Sequence, residues 1–309
     1  MSITRNTFRR LYSTVRICPS DHASQSPRVD LAFDLHTTPA PRGSAACSTP
    51  KSTEKAPILF LHGFLGSKRE NKISSRKLAQ ELGRPVYALD LRNHGDSGHH
   101  PQHDYMEMAL DVKAFIERHK IKRSSVIGHS MGAKTALTLA LHSPDSISSV
   151  VAVDNCPISL PLEPEFERYL DALARLRDER LASHREADKF LSQYEESPAI
   201  RLWLISNLVK APGSPFLTLR IPVETLKRAI GPLGDFPYKE DLGKKNFLGR
   251  TLFLRARESR YITSEALPII REFFPRSSVV DVDSGHWIVQ EREALFREIV
   301  TKFLPEAEE

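Results

Sequence analysis

The sequence predicts an α/β chain, a doubly wound and mostly parallel sheet interrupted by an inserted helical cap. Three observations carry this. Short, wholly apolar runs recur along the chain, segments with helical spacing lie between them, and one long stretch from 157 to 245 breaks the alternation with charged, amphipathic sequence. Runs that are apolar throughout suit parallel strands covered on both faces, and strands alternating with helices imply a doubly wound sheet.

The elements follow in order. Val29, Leu31, Phe33 and Leu35 alternate with Asp30, Ala32, Asp34 and His36, the period of a half-exposed edge strand. From about 38 to 56 the chain is rich in Pro, Ser and Thr without hydrophobic period, a linker or exposed loop. The apolar runs Ile58-Leu59-Phe60-Leu61, Val86-Tyr87-Ala88-Leu89, Ser125-Val126-Ile127 and Val150-Val151-Ala152-Val153 then read as core strands. After the gap come Thr251-Leu252-Phe253-Leu254 and Val279-Val280-Asp281-Val282. Helical spacing marks 68–82, 104–119, 131–142, 264–274 and 291–303, and within the gap 163–180, 183–194 and 199–209. The domain boundaries are therefore a leader over 1–25, an edge strand and linker over 26–56, a first core part over 57–156, a cap over 157–245 and a second core part over 246–305. A cap inserted there lies above the strand C-termini, where open α/β sheets bind ligands.

The net charge of +5 does not describe the body of the protein. The first 56 residues hold eight Lys/Arg against four Asp/Glu, so +4 of it belongs to that segment, and no basic nucleic-acid surface is expected on the rest. Arg5, Arg9, Arg10 and Arg16 precede any acidic residue, while Phe8, Leu11, Tyr12 and Val15 fall on one helical face, the pattern of a mitochondrial transit peptide. A frayed basic terminus is the alternative, and a cytoplasmic home goes with it. Cys18, Cys47 and Cys156 form neither a disulfide framework nor a zinc spacing. No apolar run reaches the roughly 20 residues of a membrane-spanning helix.

The chemistry is concentrated in four strings. Gly128-His129-Ser130-Met131-Gly132 follows a predicted strand and opens a predicted helix, the setting of a nucleophile elbow, in which Ser130 is lifted off the sheet. A serine that merely caps a helix is the plain alternative. Attack on a carbonyl needs two backbone N–H groups for the developing oxyanion. Met131 supplies one, and Phe64, in the glycine-bearing loop Leu61-His62-Gly63-Phe64-Leu65-Gly66, is chosen for the second. A serine hydroxyl also needs a base late in the chain, and His286, between the last strand and the final helix, is that base. His94, His99, His100 and His103 lack metal-ligand spacing and read as a solvated loop, so no metal and no cofactor are expected.

The orienting acid is the open member. Its customary place follows strand 251–254, where Ser259 stands instead of an acid. Asp154, at the end of the strand 150–153 beside the nucleophile strand, is preferred; Glu258 is an alternative, and Glu224 a more distant one.

Together, His62-Gly63-Phe64-Leu65-Gly66-Ser67, Asp90-Leu91-Arg92-Asn93-His94-Gly95-Asp96-Ser97, Gly128-His129-Ser130-Met131-Gly132 and Gly285-His286-Trp287 resemble a mitochondrial abhydrolase-domain branch of the α/β-hydrolase superfamily. The likeness covers 57–305, and the branch includes a bacterial acyl esterase and thioesterase and yeast ethanol acetyltransferases. It implies the α/β-hydrolase fold, a mitochondrial home, and an acid that often stands 24 residues after the serine, which falls on Asp154; some members place it near Glu224 instead. The sequence departs from the branch at Arg255-Ala256-Arg257, where relatives tend to carry glycines.

The expected function is a serine hydrolase of small-molecule carboxylic esters or acyl thioesters through a Ser-His-Asp triad. An acyltransferase that passes the same acyl group to an alcohol is the first alternative. A non-catalytic scaffold is the second, since fold does not fix function. Epoxide hydrolysis is disfavoured because its nucleophile would be an aspartate where Ser130 stands. Phe166, Leu170, Trp203 and Leu204 are expected in the cap core rather than on a pocket wall.

Overall fold

The computed structural model describes residues 27–38 and 55–304. The transit-like segment 1–25 and the Pro/Ser/Thr-rich stretch 39–54 lie outside them.

In chain order the first core part comprises β1 (Phe33–His36), β2 (Ile58–Leu61), α1 (Lys72–Leu82), β3 (Val86–Leu89), α2 (Tyr105–Arg118), β4 (Ser124–His129), α3 (Met131–His142) and β5 (Ile147–Val153). Next come α4 (Pro164–Asp178), α5 (His184–Leu191), α6 (Pro198–Ile205), the short strands β6 (Leu208–Lys210) and β7 (Leu217–Leu219), and α7 (Val223–Leu233). The chain returns to the sheet with β8 (Arg250–Ala256), α8 (Ala266–Phe273), β9 (Ser277–Val282), α9 (Ile288–Glu291) and α10 (Glu293–Phe303).

Seven strands form one sheet in the order β1-β3-β2-β4-β5-β8-β9. Every pairing is parallel except β1 against β3. The central strands are buried on both sides, and the two-residue period sends alternate side chains to opposite layers. Leu59, Leu61, Val126, Val150 and Ala152 join one apolar cluster with α2 and α3. Ile58, Phe60, Ile127, Val151 and Val153 join the other, with α1 and α10. This is why their sequence reads as unbroken apolar runs rather than as alternation.

The edge strand β1 is antiparallel, and its apolar residues Phe33 and Leu35 are its exposed ones. Phe33 nevertheless meets the rings of Tyr87 and Phe115, with centroids 5.6 and 5.3 Å apart.

The stretch between β5 and β8 is mostly helical, and α4, α5 and α6 fall where the helical spacing put them. The antiparallel pair β6–β7 was not foreseen: at three residues each, the strands are too short to display a period. Leu170, Leu173, Leu204 and Leu226 pack into the same apolar cluster as the α2–α3 layer, so the cap and core share one interior.

Two loops at the C-terminal edge of the sheet are locked together before any catalytic side chain is considered. Lys68 Nζ lies 2.6 Å from both Asp90 Oδ2 and Asp96 Oδ2. Arg92, fully buried, donates to Asp111 through Nε (2.6 Å) and through a terminal nitrogen (2.9 Å), a bidentate pairing that fixes the guanidinium plane.

Candidate active site

The turn after β4 is forced by contact. Ser130 has φ 53° and ψ −115°, a conformation that L-residues adopt only where the surroundings over-determine it. A Cβ on Gly132 would lie 2.5 Å from Leu61 O, and one on Gly128 would run into the Gly132 carbonyl group. Glycine at both positions thus lets α3 start directly against β2. Ser130 N donates to Val153 O (2.9 Å), tying the turn to the neighbouring strand β5.

The loop after β2 reaches the same point. A Cβ on Gly63 would lie 3.4 Å from Ser130 Cβ, so the backbone at 63–64 passes directly beside the serine. Among the described residues, neither Phe64 N–H nor Met131 N–H has an acceptor in the protein. Two unpartnered backbone donors next to one hydroxyl are what an oxyanion site requires.

Histidines hold this loop, and here the structure corrects the sequence reading. His94 and His103 are buried rather than solvated; of the four, His99 is exposed and His100 half-buried. His94 Nε2 accepts from Leu65 N (3.1 Å), while His62 Nε2 accepts from Leu91 N (3.0 Å). The two loops therefore exchange acceptors. Each ring donates its other N–H to a carbonyl, His62 to Gly63 O and His94 to Arg92 O. Burial lowers the pKa of both, which keeps them neutral and able to accept. Among the described residues no group of three His, Cys, Asp or Glu is placed to hold a metal.

His286, in the loop between β9 and α9, donates from Nδ1 to Asp154 Oδ2 at 2.7 Å. Asp154 follows β5, is wholly buried and has φ 48°. Its second oxygen, Oδ1, accepts from Ala256 N (3.2 Å) at the end of β8. The other two acids are placed elsewhere. Glu258 is exposed at the rim, and Glu224 faces Arg177 at 3.6 Å on the cap surface. Asp154 is the acid that the fold brings to His286.

Three neighbours of this pair went unnoticed in the sequence. His129 donates from Nε2 to His286 O (2.8 Å) and stacks on its ring at 4.9 Å. Burial, and then the charge of His286, push its pKa down to about 3, so it acts as a neutral donor. The Tyr261 ring covers His286 at 4.4 Å. Asn155 Nδ2 donates to Ser130 O (3.3 Å). His129 was visible as the variable residue of the elbow string, but nothing in a sequence says that its ring turns toward a loop 157 residues away.

Two cavities meet here. The inner one is lined by Ser130, Met131, Phe64, Asn155, Tyr261, Phe166 and Lys134, with space of about 10 Å³ for the centre of a water-sized sphere, room for about one water. The outer one, about 430 Å³ on the same measure, is lined by His286, Trp287, Glu258, Arg260, Trp203 and again Phe166 and Tyr261. Phe166 and Trp203, expected in the cap core, are thus wall residues, whereas Leu170 and Leu204 are core.

A profile of the alpha/beta hydrolase fold matches residues 56–293. The chain belongs to the α/β-hydrolase family. An abhydrolase domain-containing protein of Schizosaccharomyces pombe is 36% identical over 249 residues, covering 80% of this chain and 92% of that protein. A probable alcohol acetyltransferase of Saccharomyces cerevisiae is 35% identical over 297 residues, 91% of this chain and 85% of the relative. Among solved structures, a marine microorganism esterase superposes with a TM-score of 0.77 at 25% identity, covering 89% of this chain and all of that one. As an α/β hydrolase, the protein is an enzyme whose fold suits small-molecule substrates. Among its described residues no helix is long and apolar enough to cross a membrane.

Proposed function

We propose that this α/β hydrolase cleaves carboxylic esters or acyl thioesters through an acyl-enzyme, with Ser130 as nucleophile, His286 as base and acid, and Asp154 orienting the imidazole. The observation that carries the reading is the 2.7 Å Asp154–His286 bond at the C-terminal edge of the sheet where Ser130 stands on its strained turn. Ser130 Oγ gives its proton to His286 Nε2 as it attacks the carbonyl carbon. The carbonyl oxygen becomes an oxyanion facing the Phe64 and Met131 N–H groups. As the C–O or C–S bond breaks, His286 returns the proton to the leaving alcohol or thiol. Water, deprotonated by His286, then releases the acid and restores Ser130.

An acyltransferase reading uses the same residues, with an alcohol in place of that water. It is supported by the 35% identity to the probable alcohol acetyltransferase, and by the breadth of the outer cavity, through which either acceptor must come.

The test is Ser130-dependent labelling by a fluorophosphonate, followed by product analysis with and without ethanol. Ser130→Ala is expected to abolish labelling and to lower turnover on the order of 10⁴-fold or more. Folded protein that fails to label favours a non-catalytic scaffold instead. Ethyl ester formed in proportion to added ethanol identifies the transferase branch. We also propose a mitochondrial home from the basic, amphipathic residues 1–25; a reporter fused to them that stays in the cytosol overturns it.

A further inference from the structure

The outer cavity has an apolar neighbour. A groove of about 500 Å³, on the same measure, lies against α6 and is lined by Ala199, Ile200, Leu202, Trp203 and Trp287. Two acids also line it, and neither leaves a free charge there. Glu291 accepts from Ser284 Oγ (2.6 Å) and Gly285 N (3.1 Å). Burial pushes the Glu70 carboxyl up to about 8 despite the nearby Trp203 N–H, so it is mostly uncharged at neutral pH.

Ile200, Trp203 and Trp287 line both spaces, so they form the partition between them. Trp203 is packed into place by three other rings. Its centroid lies 4.9 Å from that of Trp287, edge to face, and 6.4 and 6.1 Å from those of Phe166 and Tyr169. Trp287 directly follows the base His286 in the chain, whereas Trp203 belongs to α6 of the cap. The partition can therefore be cut on its cap side without replacing a residue of the His286 loop.

The leaving group stands in front of this partition. His286, which returns the proton to the departing alcohol or thiol, lines the outer cavity and not the inner one. The alcohol side of the substrate thus extends into the outer cavity, whose remaining walls include Glu163, Glu165, Glu258 and Arg260. An alkyl chain that lengthens there passes among charged, hydrated groups, and methylenes left in water gain nothing. Behind the indoles the same methylenes would be covered, which favours each by about fourfold.

We propose that Trp203 is a specificity-determining residue, an indole partition that denies the apolar groove to the leaving group. The enzyme then takes esters or thioesters of short alcohols or thiols and gains nothing from a longer alkyl chain. This rests on Ser130 being the nucleophile and His286 the acid.

The experiment compares butyl acetate with octyl acetate, below the solubility limit of each, by acetate release in wild type, Trp203→Ala, Leu202→Ala and the double variant. In wild type the octyl-to-butyl ratio of kcat/KM is expected to stay within threefold. In Trp203→Ala it is expected to rise at least tenfold. Leu202 lines the groove and not the outer cavity, so Leu202→Ala alone is expected to leave the wild-type ratio unchanged, and to cut the gain at least threefold when added to Trp203→Ala. A ratio unmoved by Trp203→Ala overturns the proposal, and so does a gain indifferent to Leu202, which a merely loosened cap would give. Two arms do not depend on Trp203→Ala folding. A wild-type preference for octyl acetate above tenfold, or a wild-type ratio changed by Leu202→Ala, shows that the chain already enters the groove. The two readings fail differently: ester cleavage that survives Ser130→Ala removes the nucleophile, whereas Ser130-dependent cleavage with an unmoved ratio removes the role of Trp203 alone.

Discussion

His286 has partners on three sides: the Asp154 carboxylate at Nδ1, the Tyr261 ring across its face, and the His129 N–H at its carbonyl oxygen. Of these, Asp154 alone fixes which ring nitrogen carries the proton, leaving Nε2 unprotonated, as the proposed chemistry requires. Asp154→Ala is therefore expected to lower kcat by about 10²- to 10⁴-fold with the fluorophosphonate rate falling in parallel, while Glu258→Ala, at an exposed rim position, stays within about threefold. Steady-state kinetics on one activated ester decides it, and the reverse ranking would move the acid to Glu258. Chain order and strand ends single out Ser130 and His286 in the sequence as candidates, and strand adjacency points to Asp154, which the structure sets 2.7 Å from His286. Tyr261 was invisible, because a tyrosine in a loop carries no signal until the cavity around it exists.

Most strands and helices were legible because burial imposes a period, although α7 (Val223–Leu233), which buries Val223, Leu226, Ala229 and Leu233, was not singled out. The sheet was read from its apolar runs, because each central strand feeds both apolar layers; β6 and β7 were not, and the loop histidines were misread as solvated because their burial comes from an exchange of acceptors between two loops. The elbow turns on close approach between elements. Since the added Cβ of Gly132→Ala would meet backbone, not a side chain able to move, α3 must shift from β2. A loss of about 1–3 kcal/mol is expected, read as a lower denaturant midpoint, together with at least tenfold slower Ser130 labelling. Unchanged labelling in a destabilised protein would show that the turn tolerates the shift. The cap reaches the same machinery through Asn207, which follows α6 and donates from Nδ2 to Leu65 O (2.9 Å). Asn207→Ala is expected to lower kcat/KM about 5- to 30-fold with a smaller effect on melting, the loss of one buried hydrogen bond that steadies the Phe64 loop.

Over the whole molecule, His62, His94, His103 and His129 are buried, and burial is the largest cause lowering the pKa of each. In the unfolded chain they titrate near 6.5. Because the folded pKa values lie below that, the unfolded state binds more protons as the pH drops. The stability they contribute is complete above about pH 6.5 and is lost as pH falls toward the folded values. Each group sets a limiting slope of about 1.4 kcal/mol per pH unit. Thermal melts are thus expected to show a midpoint on the order of 10 °C lower at pH 5.0 than at pH 7.5; a flat profile would mean that these rings are hydrated in solution.

The bond between Asp154 and His286 joins positions 132 residues apart in the chain. A ribosome adding about 5–20 residues per second delivers the histidine roughly 7–26 s after the aspartate. Throughout that interval the nascent protein holds the serine and both of its flanking glycines, and no base. In the proposed chemistry it cannot acylate itself on metabolites met during its own synthesis. Reactivity arrives only after β8 has been laid down beside β5 and β9 beside β8, so the newborn chain is inert while it is least protected.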